Sequence, residues 1–146
     1  RLRLRLRLRL RLRLRLRQLN ISDLEAVNAE CNALPFRFDP ERYNSEDFWV
    51  EADAAGGDCE DTVLAKLHRL LKRGWPIDHM RIGCCYVETG EYHAVLEVMT
   101  EDGPRILDNR HQWPMTLEQL RNIGYRPDRI QTHGGSRKWA EWKWEA

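Results

Sequence analysis

Hydrophobic positions change their period along this chain, and each change predicts an element. Over residues 1–17 Leu and Arg alternate strictly, as RLRLRLRLRLRLRLRLR. A period of two puts every Leu on one face of a strand, whereas a helix would smear both types around its axis. The alternation therefore reads against an amphipathic helix, and an edge strand added to the body is one reading of it. Residues 22–34 then shift to helical spacing, with Leu24, Val27, Cys31 and Leu34 in register. Ser22 is placed to cap this helix, with Glu25 three residues on, and Pro35 stops it. Residues 35–57 carry two prolines and the run Ala54-Ala55-Gly56-Gly57, and read as a loop.

The strongest pattern is DCEDTVLAKLHRLLKRG, residues 58–74. Val63, Leu64, Leu67, Leu70 and Leu71 make one apolar stripe. Acids fill the first turn and bases the last, complementing the helix dipole. Gly74 and Pro76 provide a stop. The period then changes to that of strands, over residues 81–88, 92–100 and 104–108, with Glu101-Asp102-Gly103 as a hairpin turn. Residues 116–122 read as a short helix and 125–146 as a polar tail whose Trp139, Trp142 and Trp144 dock on the body. Helices followed by an antiparallel meander predict an α+β fold of two layers.

Charge divides the chain in the same place. Nine of the 24 basic residues lie in residues 1–17, leaving 15 against 23 acids, so residues 18–146 carry a net charge of −8. The expected organisation is a basic Arg-Leu leader over 1–17, outside the fold, and one domain over 18–146. The leader reads either as a polycationic tether for an anionic partner or as a low-complexity extension. It does not read as a secretory signal, because a signal needs about 7–15 continuous apolar residues and here every Leu is flanked by Arg. No apolar run approaches the ~20 residues of a transmembrane helix. No phosphate loop or base-reading motif is present.

Four cysteines, Cys31, Cys59, Cys84 and Cys85, show neither zinc-ligand spacing nor the density of a disulfide scaffold, so free thiols are expected. Cys84 and Cys85 are adjacent in a strand and point to opposite faces, so one is expected in the core. Cys59 stands out because it opens the strongest helix, where the dipole and free N–H groups favour a thiolate. Glu60 and Asp61 oppose that charge, and a nearby cation is needed to offset them. His93 begins one predicted strand and Asp108 ends the next. If their hairpin turn holds two residues, the two side chains share a face as diagonal neighbours. Cys59, His93 and Asp108 thus make a candidate set of nucleophile, base and orienting acid.

The string Gly57-Asp58-Cys59-Glu60-Asp61, followed by Lys66, Gly74-Trp75-Pro76, His93-Ala94-Val95-Leu96 and Leu107-Asp108-Asn109, resembles the bacterial transglutaminase-like cysteine protease family. Asn28, Tyr43, Asp47 and Trp49 fit the same pattern, and the similarity runs over about residues 24–133. The resemblance implies a papain-like α+β core with Cys59 as nucleophile, His93 as base and Asp108 as orienter. Relatives of this kind include calcium-dependent periplasmic proteases that clip surface adhesins, in which acids flanking the cysteine take part in calcium binding. Carried over, that makes Asp58, Glu60 and Asp61 candidate calcium ligands, and carboxylate oxygens suit that ion. The expected function is acyl transfer from a peptide or amide, on a protein or peptide substrate. Water as acceptor gives hydrolysis and an amine gives a transglutaminase. The alternative is a non-catalytic binding module of the same fold, tethered by its basic leader.

Overall fold

A computed structural model describes residues 3–9, 19–33 and 57–144, with the backbone alone over 57–60. The expected loop over 35–57 lies almost wholly outside the described residues, as do Leu34, Tyr43, Asp47 and Trp49. Helix α1 spans Ile21–Ala33 and helix α2 spans Gly57–Lys72. A 3₁₀ turn over Ile77–His79 leads into strands β1 (Met80–Tyr86), β2 (Tyr92–Thr100) and β3 (Gly103–Leu107). Helix α3 (Leu117–Ile123) precedes β4 (Arg126–Gln131) and β5 (Trp139–Glu141). The five strands form one antiparallel sheet in the order β3-β2-β1-β4-β5. The α+β class expected from the pattern is the one observed.

The helix ends follow local chemistry. Asn20, rather than Ser22, caps α1, its Oδ1 accepting from the Ser22 N–H at 2.8 Å. Helix α2 ends as its glycine requires. Gly74 takes φ +96°, its N–H reaches Leu71 O at 3.1 Å, and Trp75 N–H reaches Leu70 O at 3.0 Å. That pair of bonds is a Schellman closure, which satisfies two otherwise orphaned carbonyls. Thr116 and Gln119 form a reciprocal capping box on α3. Arg69–Glu30 at 2.9 Å and Arg73–Asp23 at 3.2 Å join α1 to α2 across half-exposed surface, where such pairs contribute little.

Two apolar clusters cover the sheet, one on each face. On the first, Leu24, Val27 and Cys31 of α1 and Leu64, Leu67 and Leu70 of α2 pack on Ile82, Cys84, Leu96 and Val98. On the second, Cys85, Val95 and Ile106 meet Leu120, Tyr125, Ile130 and Trp142. Cys84 and Cys85 point to opposite faces as expected, and both, rather than one, are fully buried in the core, one in each cluster. The second cover is made by the segment read as a polar tail. Trp142 and Tyr125 do dock, but β4 and β5 also add two strands to the sheet. Their sequences, RPDRIQ and WAE, show little alternation, because main-chain pairing with β1 and with each other holds them there.

Residues 3–9 are helical, with Leu4, Leu6 and Leu8 between 51% and 65% exposed. The strand favoured by the alternation is not formed in that stretch. Leu and Arg are both strong helix formers, and where the segment does not pair with the sheet, propensity outweighs period. Among the described residues no helix is long and apolar enough to cross a membrane.

Gly83 tests the second face directly. A Cβ built there would lie 2.4 Å from Cζ3 of Trp142. Gly83→Ala is expected to destabilise the fold by about 1–3 kcal/mol through overpacking, read as a lower urea midpoint. An unchanged midpoint would mean that Trp142 does not seat on the strand.

Candidate active site

The hairpin joining β2 to β3 has the two-residue turn on which the sequence argument depended. Thr100 pairs with Gly103 and Leu96 with Leu107, leaving Glu101 and Asp102 as the turn. Gly103 adopts φ +100°, a conformation that favours glycine. Continued past the ladder, this register sets residue 93 diagonal to residue 108 on one face. His93 is the second residue of β2 and Asp108 directly follows β3. Their side chains meet, with His93 Nε2 2.5 Å from Asp108 Oδ1. His93 is buried and Asp108 wholly so.

Three further groups converge on this carboxylate. The Arg110 main-chain N–H donates to Oδ1 at 3.0 Å, and the Tyr125 hydroxyl donates to Oδ2 at 2.7 Å. His111 Nε2 stands 3.8 Å from Oδ2. Burial alone would raise the Asp108 carboxyl. The hydrogen bond and charge of His93, with those from Arg110 and Tyr125, outweigh it and hold the group at about 2. Asp108 is thus a carboxylate at neutral pH and can only accept hydrogen bonds. His93 must then donate through Nε2–H, which leaves Nδ1 as the ring's basic atom when the imidazole is neutral.

Helix α1 fixes the loop that carries the carboxylate. Asn28 Nδ2 donates to the carbonyls of His111 and Gln112 at 2.8 and 2.9 Å. Asn32 Nδ2 donates to those of Asp108 and His111 at 3.0 and 3.1 Å. Asn28 interrupts the apolar stripe of α1 yet is fully buried, because these carbonyls are its partners. From α2, Lys66 is also fully buried, and its Nζ has no hydrogen-bond partner among the described residues. Burial lowers this ammonium to about 8, while the Asp108 charge pulls the other way. The buried cation and anion thus stabilise each other through space.

The structure brings His93 and Asp108 together. Cys59 is in the first turn of α2, and its side chain, with those of Asp58 and Glu60, lies outside the described residues. Asp61 is buried at the end of that turn. Among the described residues no three His, Cys, Asp or Glu side chains gather as a metal site. Sequence reasoning overlooked Asn32, Arg110, Tyr125 and Glu88. Tyr125 reads as an ordinary core aromatic, and nothing local marks its hydroxyl. His111, in the loop after β3, lies 3.1 Å from that hydroxyl.

The family model described as bacterial transglutaminase-like cysteine proteinase BTLCP matches residues 5–145. The chain belongs to this family. Solved structures of Legionella pneumophila LapG are similar to it. The EGTA-treated form is 29% identical with a TM-score of 0.55, over 75% of this chain and 61% of LapG. The calcium-bound form is 28% identical with a TM-score of 0.53, over 75% of this chain and 63% of LapG. The chain therefore spans about three-fifths of the length of these relatives. No curated protein matches it.

Because Asp108 is held below the ordinary Asp value of about 3.9, its ionised form stabilises the fold. That contribution is complete above pH ~4 and is lost as pH falls toward 2. Asp108→Asn removes it. Urea unfolding is expected to show the gap between wild type and variant narrowing by about 2 kcal/mol from pH 5 to pH 2. A gap that stays constant over this range would mean that Asp108 is not ionised in the fold.

Proposed function

We propose that this protein is a cysteine peptidase in which Cys59, His93 and Asp108 act together on a protein or peptide substrate. The observation that carries the reading is the His93–Asp108 hydrogen bond through Nε2, which reserves Nδ1 for the thiol. Nδ1 takes the proton from Cys59 Sγ, and the thiolate attacks the scissile carbonyl carbon. Main-chain N–H groups at the start of α2 face the developing oxyanion. The imidazolium passes its proton to the leaving amine as the C–N bond breaks, leaving a thioester on Cys59. His93 then draws a proton from water, whose oxygen displaces the thiolate and releases the acid. An amine in place of water would make the same thioester a donor for transamidation. Hydrolysis is the favoured outcome, because the family is one of proteinases.

Calcium belongs to the same proposal. Asp58, Glu60 and Asp61 put three carboxylates within four residues, and such hard oxygen donors fit this ion. LapG has been solved in a calcium-bound form, and these three acids would hold the ion here. When bound, it supplies positive charge that offsets their penalty on the Cys59 thiolate. The chain's own residues carry every proton transfer.

Cys31, Cys84 and Cys85 are fully buried, and burial raises the Cys31 thiol further. Iodoacetamide at pH 6–7, with the adduct mapped by mass spectrometry, is therefore expected to label Cys59 selectively. His93→Ala should lower that rate at least about tenfold, since one unit of thiol pKa is tenfold in thiolate. Labelling that begins only near pH 8.5, the ordinary thiol value of about 8.5, would sink the reading.

A further inference from the structure

Beyond Cys59, His93 and Asp108, the geometry points to Tyr125 as a positioning residue: we propose that its hydroxyl, aimed by Arg110, fixes the carboxylate that fixes His93. The inference rests on the reading of His93 as base. It starts from where one proton must lie. Arg110 Nη1 donates to the Tyr125 oxygen at 2.8 Å. A guanidinium has five donors and no acceptor, so the phenol cannot donate to it. The same oxygen stands 2.7 Å from Asp108 Oδ2, which as a carboxylate can only accept. His111 Nε2 also lies 3.1 Å from this oxygen, but the carboxylate is nearer and charged, so the phenolic proton is directed at Asp108. Burial and the Asp108 charge raise the Tyr125 hydroxyl, so it keeps that proton across the working pH range.

Arg110 is itself held. Its Nη1 donates to Glu88 Oε2 at 2.8 Å, and Nη2 pairs with Oε1 of the same carboxylate. The guanidinium also lies 5.4 Å over the Tyr125 ring. A continuous line thus runs from a surface pair, Glu88–Arg110, through a phenol that is 2% exposed to a carboxylate that is fully buried. Its consequence is angular. Oδ1 takes bonds from His93 and from the Arg110 main chain, whereas Oδ2 is tied by Tyr125. Without the phenol, the carboxylate can turn about its Cβ–Cγ bond and the imidazole loses its fixed acceptor. The groups facing Asp108 are His93 from β2, Lys66 from α2, Arg110 and His111 from the following loop, and Tyr125 after α3. Among the described residues, Asp108, Tyr125 at 6.4 Å between ring centroids, and Cys85 across the β1 ladder face His93.

Tyr125→Phe removes the hydroxyl and keeps the ring. The test is ¹⁵N NMR titration of His93, assigned by the loss of its signals in His93→Ala, in the full chain. Wild type is expected to show one neutral tautomer, protonated at Nε2. In Tyr125→Phe the His93 pKa should fall by about 0.5–1, because the imidazolium loses a well-aimed counter-charge. The two tautomers should then mix. Arg110→Met, on a partly exposed side chain, should mix the tautomers in the same way and to a smaller extent. In an Asp108→Asn background Tyr125→Phe should add nothing, an outcome that a purely structural role for the phenol would not give. If Asp108→Asn moves His93 while Tyr125→Phe and Arg110→Met do not, the positioning role is wrong and His93 remains a candidate base. If Asp108→Asn also leaves His93 unmoved, the base–orienter reading and the positioning role fall together.

Discussion

One hydrogen bond, from His93 Nε2 to the buried carboxylate of Asp108, gives the rest of this fold its purpose. A carboxylate without water is costly unless every lone pair has an answer. The architecture supplies the answers from widely separated parts of the chain. Strand β2 brings the imidazole, the loop after β3 brings the Arg110 N–H, and the residue before β4 brings the Tyr125 hydroxyl. Helix α2 adds a buried ammonium at Lys66. The charge is satisfied, and so it stays ionised, with its carboxyl held at about 2.

The two layers of the fold divide this task. Helices α1 and α2 cover one face of the sheet, yet α1 also turns the polar edge of Asn28 and Asn32 onto the carbonyls that follow Asp108. The second face, closed by Trp142 and by Tyr125 itself, makes a dry setting for the phenol. In low dielectric the hydrogen bonds around Asp108 are stronger than they would be in water, and an unpaired member would be correspondingly costly. Packing on both sides of the sheet is therefore a condition for the His93–Asp108 pair, because it removes the water that would otherwise compete for the carboxylate.

Much of this was legible in the sequence wherever the signal was local. The period of residues 58–74, the glycine that stops that helix and the three strands after it follow from neighbouring residues alone. That His93 and Asp108 share a face was legible only on the condition of a two-residue turn, because register then decides which side chains are neighbours; their hydrogen bond was not. Signals that depend on distant partners were not legible. Tyr125 meets Asp108 from 17 residues away and Arg110 meets Glu88 from 22. Asn32 reaches the Asp108 carbonyl across 76 residues. Strands β4 and β5 escaped the pattern because main-chain pairing, rather than alternating hydrophobicity, holds them in the sheet. Residues 3–9 misled in the opposite sense, since alternation yields a strand only where the segment pairs with a neighbouring strand, and these residues are helical.

On the proposed reading, Asp108 fixes His93 so that Nδ1 faces the thiol of Cys59. The Sγ–Nδ1 distance, measured in a crystal of the active protein, tests this most directly. The account predicts a separation of about 3–4 Å, within reach of proton transfer once substrate binds. A separation beyond about 6 Å, with His93 still bonded to Asp108, would contradict it. The pair would then be a structural feature of the sheet rather than half of a catalytic centre.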